Sequence, residues 1–297
     1  MAVHRSGSAR HGRLARGLAA GIAAALVGLS HAPAAGASGV AAPPRAMWVW
    51  SFTDAAATVD FATTHGVSQL FVAVPPDVTT STALPRLKEL ATSARAAGVR
   101  LDALGGDPGW VDQPQWAVDH WLRPAVATGL FAGIHVDIEP YTTTAWSTDQ
   151  TGVVSRYLAT LTRLRNAAGS RPLEADIPFW FHQVPAGSGS TLDREIMKRT
   201  SAVTLMAYRN TATGPDGTLD VAAAELAAAA SLGRPVRIGQ ETNDLGTDPT
   251  ASKQTFAGMT VRQMQQQLTA VDEGAAIWST YSGIAIHDAA GFRAMAP

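Results

Sequence analysis

AGIHVDIEPY, residues 132–141, alternates along its length: Ile134, Val136 and Ile138 are aliphatic, His135, Asp137 and Glu139 are ionisable, and Pro140 stops the run. Successive side chains of a strand point to opposite faces. The pattern therefore predicts a strand with one apolar face and one polar face, ending in two carboxylates on the same side.

Seven other short runs suit buried strands: AMWVW (46–50), QLFVAV (69–74), RLDAL (100–104), PLEADIPFW (172–180), AVTLMAY (202–208), PVRIGQE (235–241) and AAIWSTYSG (275–283). Helix-like segments separate them, many ending in a glycine suited to a C-cap: Gly66, Gly98, Gly129, Gly169, Gly233 and Gly274. The last helix is expected to open near His287. Eight strands, each followed by a helix, in about 250 residues predict a single (β/α)8 TIM barrel over residues 46–297. An open doubly wound sheet would normally carry a glycine-rich first turn, which is missing here.

Residues 1–37 read as a secretory signal peptide, with Arg5, Arg10, Arg13 and Arg16 before an apolar LAAGIAAALVGL run and small residues at Ala35-Gly36-Ala37. The apolar run is well short of the ~20 residues that span a bilayer, so no membrane anchor is expected after cleavage and the protein is expected to be secreted. Residues 38–45 read as a linker. With no cysteine in the chain, the fold must rest on its core. The leader holds four of the 23 basic residues and no acidic one, leaving 19 against 24. A balance of −5 argues against a nucleic-acid partner.

Active sites of such barrels lie at the C-terminal ends of the strands. The polar parity at those ends carries Trp48 and Trp50, Asp102, then His135, Asp137 and Glu139, then Glu174, Asp176 and Trp180, then Tyr208 and Asn210, then Glu241 and Asn243, and last Trp278. Carboxylates in a cleft lined by tryptophan suit glycosidic cleavage, because two carboxyl groups supply an acid and a nucleophile or base while indoles stack on pyranose faces. Asp137 and Glu139, about 6.6 Å apart along one strand, repel one another, and such a pair tends to keep one proton at neutral pH. Asp102 and Glu174 are expected to be structural, and His135 to be a satisfied core histidine. No histidine grouping has metal-ligand spacing and no G-x-S-x-G is present, so neither a metal, a cofactor nor an esterase nucleophile is expected.

These residues resemble the chitinase-like glycoside hydrolases of family 18, whose strand four carries D-G-x-D-x-D-x-E, strand six M-x-Y-[DN], and strand eight a tryptophan. The corresponding residues are Ala132-Gly133-Ile134-His135-Val136-Asp137-Ile138-Glu139, Met206-Ala207-Tyr208-Arg209-Asn210 and Ile277-Trp278. Ala132 and His135 stand where the motif has aspartates. The resemblance implies that Glu139 protonates the leaving oxygen, Asp137 supports a substrate acetamido nucleophile, Tyr208 donates to that group, and Trp278 floors the −1 subsite. A second likeness is to clan A retaining glycosidases, with acid/base and nucleophile glutamates ending strands four and seven; here these are Glu139-Pro140 and Gln240-Glu241-Thr242.

The expectation is thus a glycoside hydrolase acting on a polysaccharide or oligosaccharide, with Glu139 as acid/base and Glu241 as the preferred nucleophile. Asp137, Asp176, Tyr208, Asn210 and Asn243 would orient the sugar, and Trp48, Trp50, Trp180 and Trp278 would form its platform. Substrate-assisted cleavage with Asp137 and Glu139, and a carbohydrate-binding barrel without turnover, remain the alternatives. Oligomeric state is not readable from the sequence.

Overall fold

The computed structural model describes residues 43–297; the expected signal peptide and most of the linker lie outside them. Eight parallel strands close into a barrel in chain order: β1 (Arg45–Val49), β2 (Val67–Ala73), β3 (Arg100–Gly105), β4 (Gly133–Val136), β5 (Leu173–Pro178), β6 (Ala202–Met206), β7 (Val236–Glu241) and β8 (Tyr281–His287). The principal helices are Ala55–Thr64, Leu84–Ala96, a composite segment over 114–127, Gln150–Ala167, Leu192–Arg199, Thr218–Leu232, Val261–Ala275 and Ala289–Ala294. This is the (β/α)8 barrel that the alternation predicts. None of the described helices is long and apolar enough to cross a membrane.

Strand parity separates two cores. The outward side chains Val136, Ile138, Ala175, Ile177, Val236 and Ile238 join the continuous apolar layer under the helices, whereas Ala46, Trp48, Phe71, Leu104 and Ala285 pack inside the barrel. Below that inner layer the barrel is plugged by polar groups. Arg237 pairs with Glu174 and donates to Gln69 at 2.8 Å, and the Gln69 amide donates to Asp102, which Arg100 also holds at 2.9 Å. Asp102 and Glu174 thus belong to the closed end, as structural acids.

The segment 114–127 is π-wound over Ala117–Leu122. Proline 124 has no N–H to give the His120 carbonyl, and that carbonyl accepts instead from Asp77 N at 2.6 Å, tying the helix to the loop after β2.

Strand four, expected over 132–139, ends at Val136, so Asp137 and Glu139 lie just past it instead of within it; two further boundaries bear on the architecture. Arg45, assigned to the linker, opens β1 and pairs with Asp272 at 3.0 Å. Strand eight is YSGIAIH, not residues 275–283. The reason is Gly274: Gly66, Gly98, Gly129, Gly169 and Gly233 all have positive φ after a helix, but Gly274 lies within one, where a Cβ would come 2.3 Å from Leu219 Cδ1. It serves close helix packing, so the helix continues to Ala275 and the strand starts six residues later.

Candidate active site

The register that pairs Val136 with Ala175 sets Asp137 beside Asp176, one residue further along β4 and β5. Neighbouring strands lie about 4.8 Å apart, so the two acids share one patch of the barrel mouth. Asp176 is anchored from both sides: His135 Nε2 is 2.8 Å from Oδ1, and Trp48 Nε1 donates to Oδ2 at 3.1 Å. His135 in turn stacks on Phe71, with ring centroids 3.6 Å apart. Burial lowers the His135 pKa, but Asp176 and the acids below raise it further, so it lies above that of a free imidazole.

Asp137 has no such anchor. Its Oδ1 is buried and has no hydrogen-bond partner among the described residues. Burial, then Asp176, then Glu139 hold its pKa well above that of an ordinary aspartate. Its backbone is fixed by the loop after β3, where a Cβ on Gly106 would fall 1.8 Å from the Asp137 carbonyl oxygen. Any side chain there would push the acid out of place.

Glu139 lies just beyond the strand, half-buried, and its carboxylate accepts from the Tyr141 hydroxyl. Tyr141 packs edge-on against Trp180 at 5.3 Å and near Trp146 and Phe181, so an aromatic wall flanks the acid. Burial, then Asp176, Asp137 and Glu241, raise the Tyr208 pKa well above that of a free phenol, which keeps its hydroxyl a neutral donor facing the acids.

Glu241 is arranged differently. It is 3 % exposed, and Oε1 accepts from Thr242 N (2.8 Å), Asn243 N (2.7 Å) and Asn243 Nδ2 (2.9 Å). Oε2 is 2.7 Å from His287 Nδ1, its register partner on β8. Burial alone would raise its pKa, but His287 and Asn243 outweigh it and hold it below the usual range. The carboxylate that the sequence favours as a nucleophile is ionised, but it is turned into its own loop and engaged at both oxygens.

His287 passes that contact on. Trp50 Nε1 donates to His287 Nε2 at 2.9 Å, and since an indole N–H can only donate, Nε2 must be unprotonated and Nδ1–H must point at Glu241. Burial pulls the His287 pKa down; Glu241, then Asp288 and Asp137, raise it more, to above that of a free imidazole. As pH falls through that value Nε2 gains a proton and Trp50, 40 % exposed, loses its acceptor. Tryptophan fluorescence should therefore titrate with a midpoint above about 6.5, the value of an unperturbed histidine. This transition should be absent from Trp50→Phe; an identical titration in that variant would contradict the contact.

The structure redistributes the other expected residues. Trp48 is 1 % exposed and anchors Asp176, so it cannot stack on a ligand. Trp278 precedes β8 in a turn between Ala275 and Tyr281, at the closed end of the barrel, because the strand it was assigned to begins after it. Asn210 donates to the Ser252 and Thr255 carbonyls and pins the loop after β7, while Asn243 holds Glu241. Asp137, Glu139, Asp176, Tyr208, Trp50 and Trp180 remain around the mouth. His287 and Tyr141 are the residues that sequence reasoning missed; continuing the strand-four alternation by one step reaches Tyr141, and a correct strand eight would have ended in His287. Among the described residues no group of three or more histidines or acids could hold a metal ion.

No family model and no curated protein matches the chain. Solved structures do. The spore cortex-lytic enzyme SleL of Bacillus megaterium QM B1551 aligns at 13 % identity over 82 % of this chain and 70 % of its own, with a TM-score of 0.54. A GH18 chitinase of Cycas revoluta in complex with (GlcNAc)4 aligns at 11 % identity over 84 % and 95 %, with a TM-score of 0.55. The GH18 chitinase ChiB of Flavobacterium johnsoniae aligns at 14 % identity over 84 % and 89 %, with a TM-score of 0.50. At these identities the likeness is one of architecture: the chain has the (β/α)8 barrel fold found in GH18 chitinases.

Proposed function

We propose that the protein is a secreted glycoside hydrolase that cleaves N-acetylhexosaminide linkages with the help of the substrate's own acetamido group. The observation that carries this reading is the contrast between the two candidate partners of Glu139. Glu241 is buried and hydrogen-bonded at both oxygens, whereas Asp137 has a buried oxygen with no partner among the described residues, beside Asp176. The barrel architecture shared with a GH18 chitinase in complex with (GlcNAc)4 is consistent with it.

In this reading Glu139 gives its proton to the glycosidic oxygen as the C1–O bond breaks, and the acetamido oxygen forms the new bond to C1 from the other face. Asp137 receives the acetamide N–H. Asp137 and Asp176 lie beside the positive charge that develops on the acetamide as it attacks, and Tyr208 can donate to the acetamido oxygen before it does so. Water then attacks C1 as the C1–acetamido oxygen bond breaks and regenerates the acetamide, giving its proton to Glu139 and restoring the starting configuration. Asp176, held by His135 and Trp48, supplies from strand five the charge that the strand-four motif lacks here.

The purified protein on a panel of aryl glycosides and polysaccharides, beside Glu139→Gln and Glu241→Gln, tests this. Glu241→Gln disturbs the hydrogen bonds that position His287 and Trp50, so its expected loss is about tenfold, the value of one to two hydrogen bonds. A nucleophile lost from that position would stop turnover almost entirely. Binding without turnover in the unmodified protein would identify a carbohydrate-binding barrel instead.

A further inference from the structure

The loop after β1 separates two cavities at the mouth. One, of about 400 Å³, is lined by Trp50, Phe52, Val74, Pro75, Arg86 and Leu87; its neighbour, of about 450 Å³, is lined by Phe52, Asp54, Arg86 and Arg293 among others. Volumes in this range suit a small ligand. Trp50 joins the first cavity to the acids, since its indole forms a wall of it and its N–H reaches His287.

The charge on this side is opposite to that of the centre. Asp137, Glu139, Asp176 and Glu241 make the centre acidic, but no acid lines the first cavity, and Asp54 in the second has Oδ1 engaged with Ala57 N at 2.9 Å. Arg86 lies 5.0 Å over the Phe52 ring and forms no ion pair or hydrogen bond among the described residues. Stacking uses the guanidinium face and leaves its N–H edge available for a planar two-oxygen partner. Arg293 adds a second positive charge alongside.

We propose that the Trp50, Phe52 and Arg86 cavity is a binding subsite for a sugar unit that bears a carboxylate, stacked on Trp50 and paired through its acid with Arg86. This deepens the glycosidase reading and rests on it for the direction of the chain: the acidic substituent is repelled from the centre and held on the β1 side while a neighbouring N-acetylated unit meets Glu139.

Calorimetry on the Glu139→Gln protein tests it, with oligosaccharides of N-acetylhexosamine alternating with an acidic sugar and their carboxyl-reduced counterparts. One pair carries a uronic acid and one an ether-linked lactic acid, so the arms also show which carboxylate fits. At least one acidic form should bind about tenfold more tightly than its reduced partner, as expected for one charge-assisted hydrogen-bonded pair, and added salt should shrink the difference. The preference should vanish in Arg86→Gln and partly survive in Arg86→Lys. Equal affinity for acidic and reduced forms, or a preference unchanged by Arg86→Gln, overturns the subsite. If the unmodified protein cleaves an aryl N-acetylhexosaminide and the acidic preference is absent, the subsite fails and the hydrolase reading stands. If the acidic preference is present without turnover, the hydrolase reading fails and the subsite stands.

Discussion

Replacing Glu139 by glutamine is expected to lower kcat by about 10²–10⁴, the usual worth of a positioned proton donor. The amide keeps the size of the side chain and can still meet the Tyr141 hydroxyl, so the site should remain assembled and KM should change little. The loss should depend on the leaving group. A nitrophenolate departs without protonation, so the first step on such a glycoside should suffer much less than on an alkyl glycoside or an oligosaccharide. The kcat/KM across a series of aryl leaving groups, which reports the steps up to departure of the leaving group, measures this, and a kcat/KM loss of equal size for every leaving group would remove Glu139 from the role of acid.

Arg237→Ala is expected to be the most damaging change away from the mouth. Arg237 is the partner of buried Glu174 and also donates to Gln69, which holds Asp102. Removing it leaves a carboxylate uncompensated inside the barrel, which costs about 3–5 kcal/mol. At about 2–4 °C per kcal/mol for a domain of this size, the melting temperature should fall on the order of ten degrees. Substituting Arg237 and Glu174 together by leucine should be far milder, because the unpaired charge is then gone as well. Thermal denaturation of the single and double variants checks this; equal losses would mean that the pair is not what holds the closed end.

What the sequence made legible follows from what alternation can carry. Period-two patterning in AGIHVDIEPY and its counterparts separates apolar from polar faces, so the barrel and the acids at its mouth were readable before any coordinates. Strand eight was not, because a glycine selected for packing against Leu219 has the same letter as one selected for positive φ. That one misreading put Trp278 at the mouth and hid His287. Roles set by contacts between strands were equally out of reach. Glu241 meets His287 across 46 positions of sequence and His135 meets Asp176 across 41, and only the register of neighbouring strands shows that one glutamate is engaged and one aspartate is held. Trp48 shows the same limit, since the parity that points it inward does not say whether its indole reaches solvent or, as here, supports Asp176 from below.

The central claim is that the second catalytic group is the substrate's acetamide, supported by Asp137, and not a carboxylate on strand seven. The most direct measurement compares turnover of two aryl glycosides that differ only at C2, one with an acetamido group and one with a hydroxyl. Cleavage of the acetamido substrate alone, with retention of configuration and strong dependence on Asp137 as well as Glu139, is the predicted result. Comparable cleavage of the hydroxyl substrate, abolished by Glu241→Gln, would contradict it.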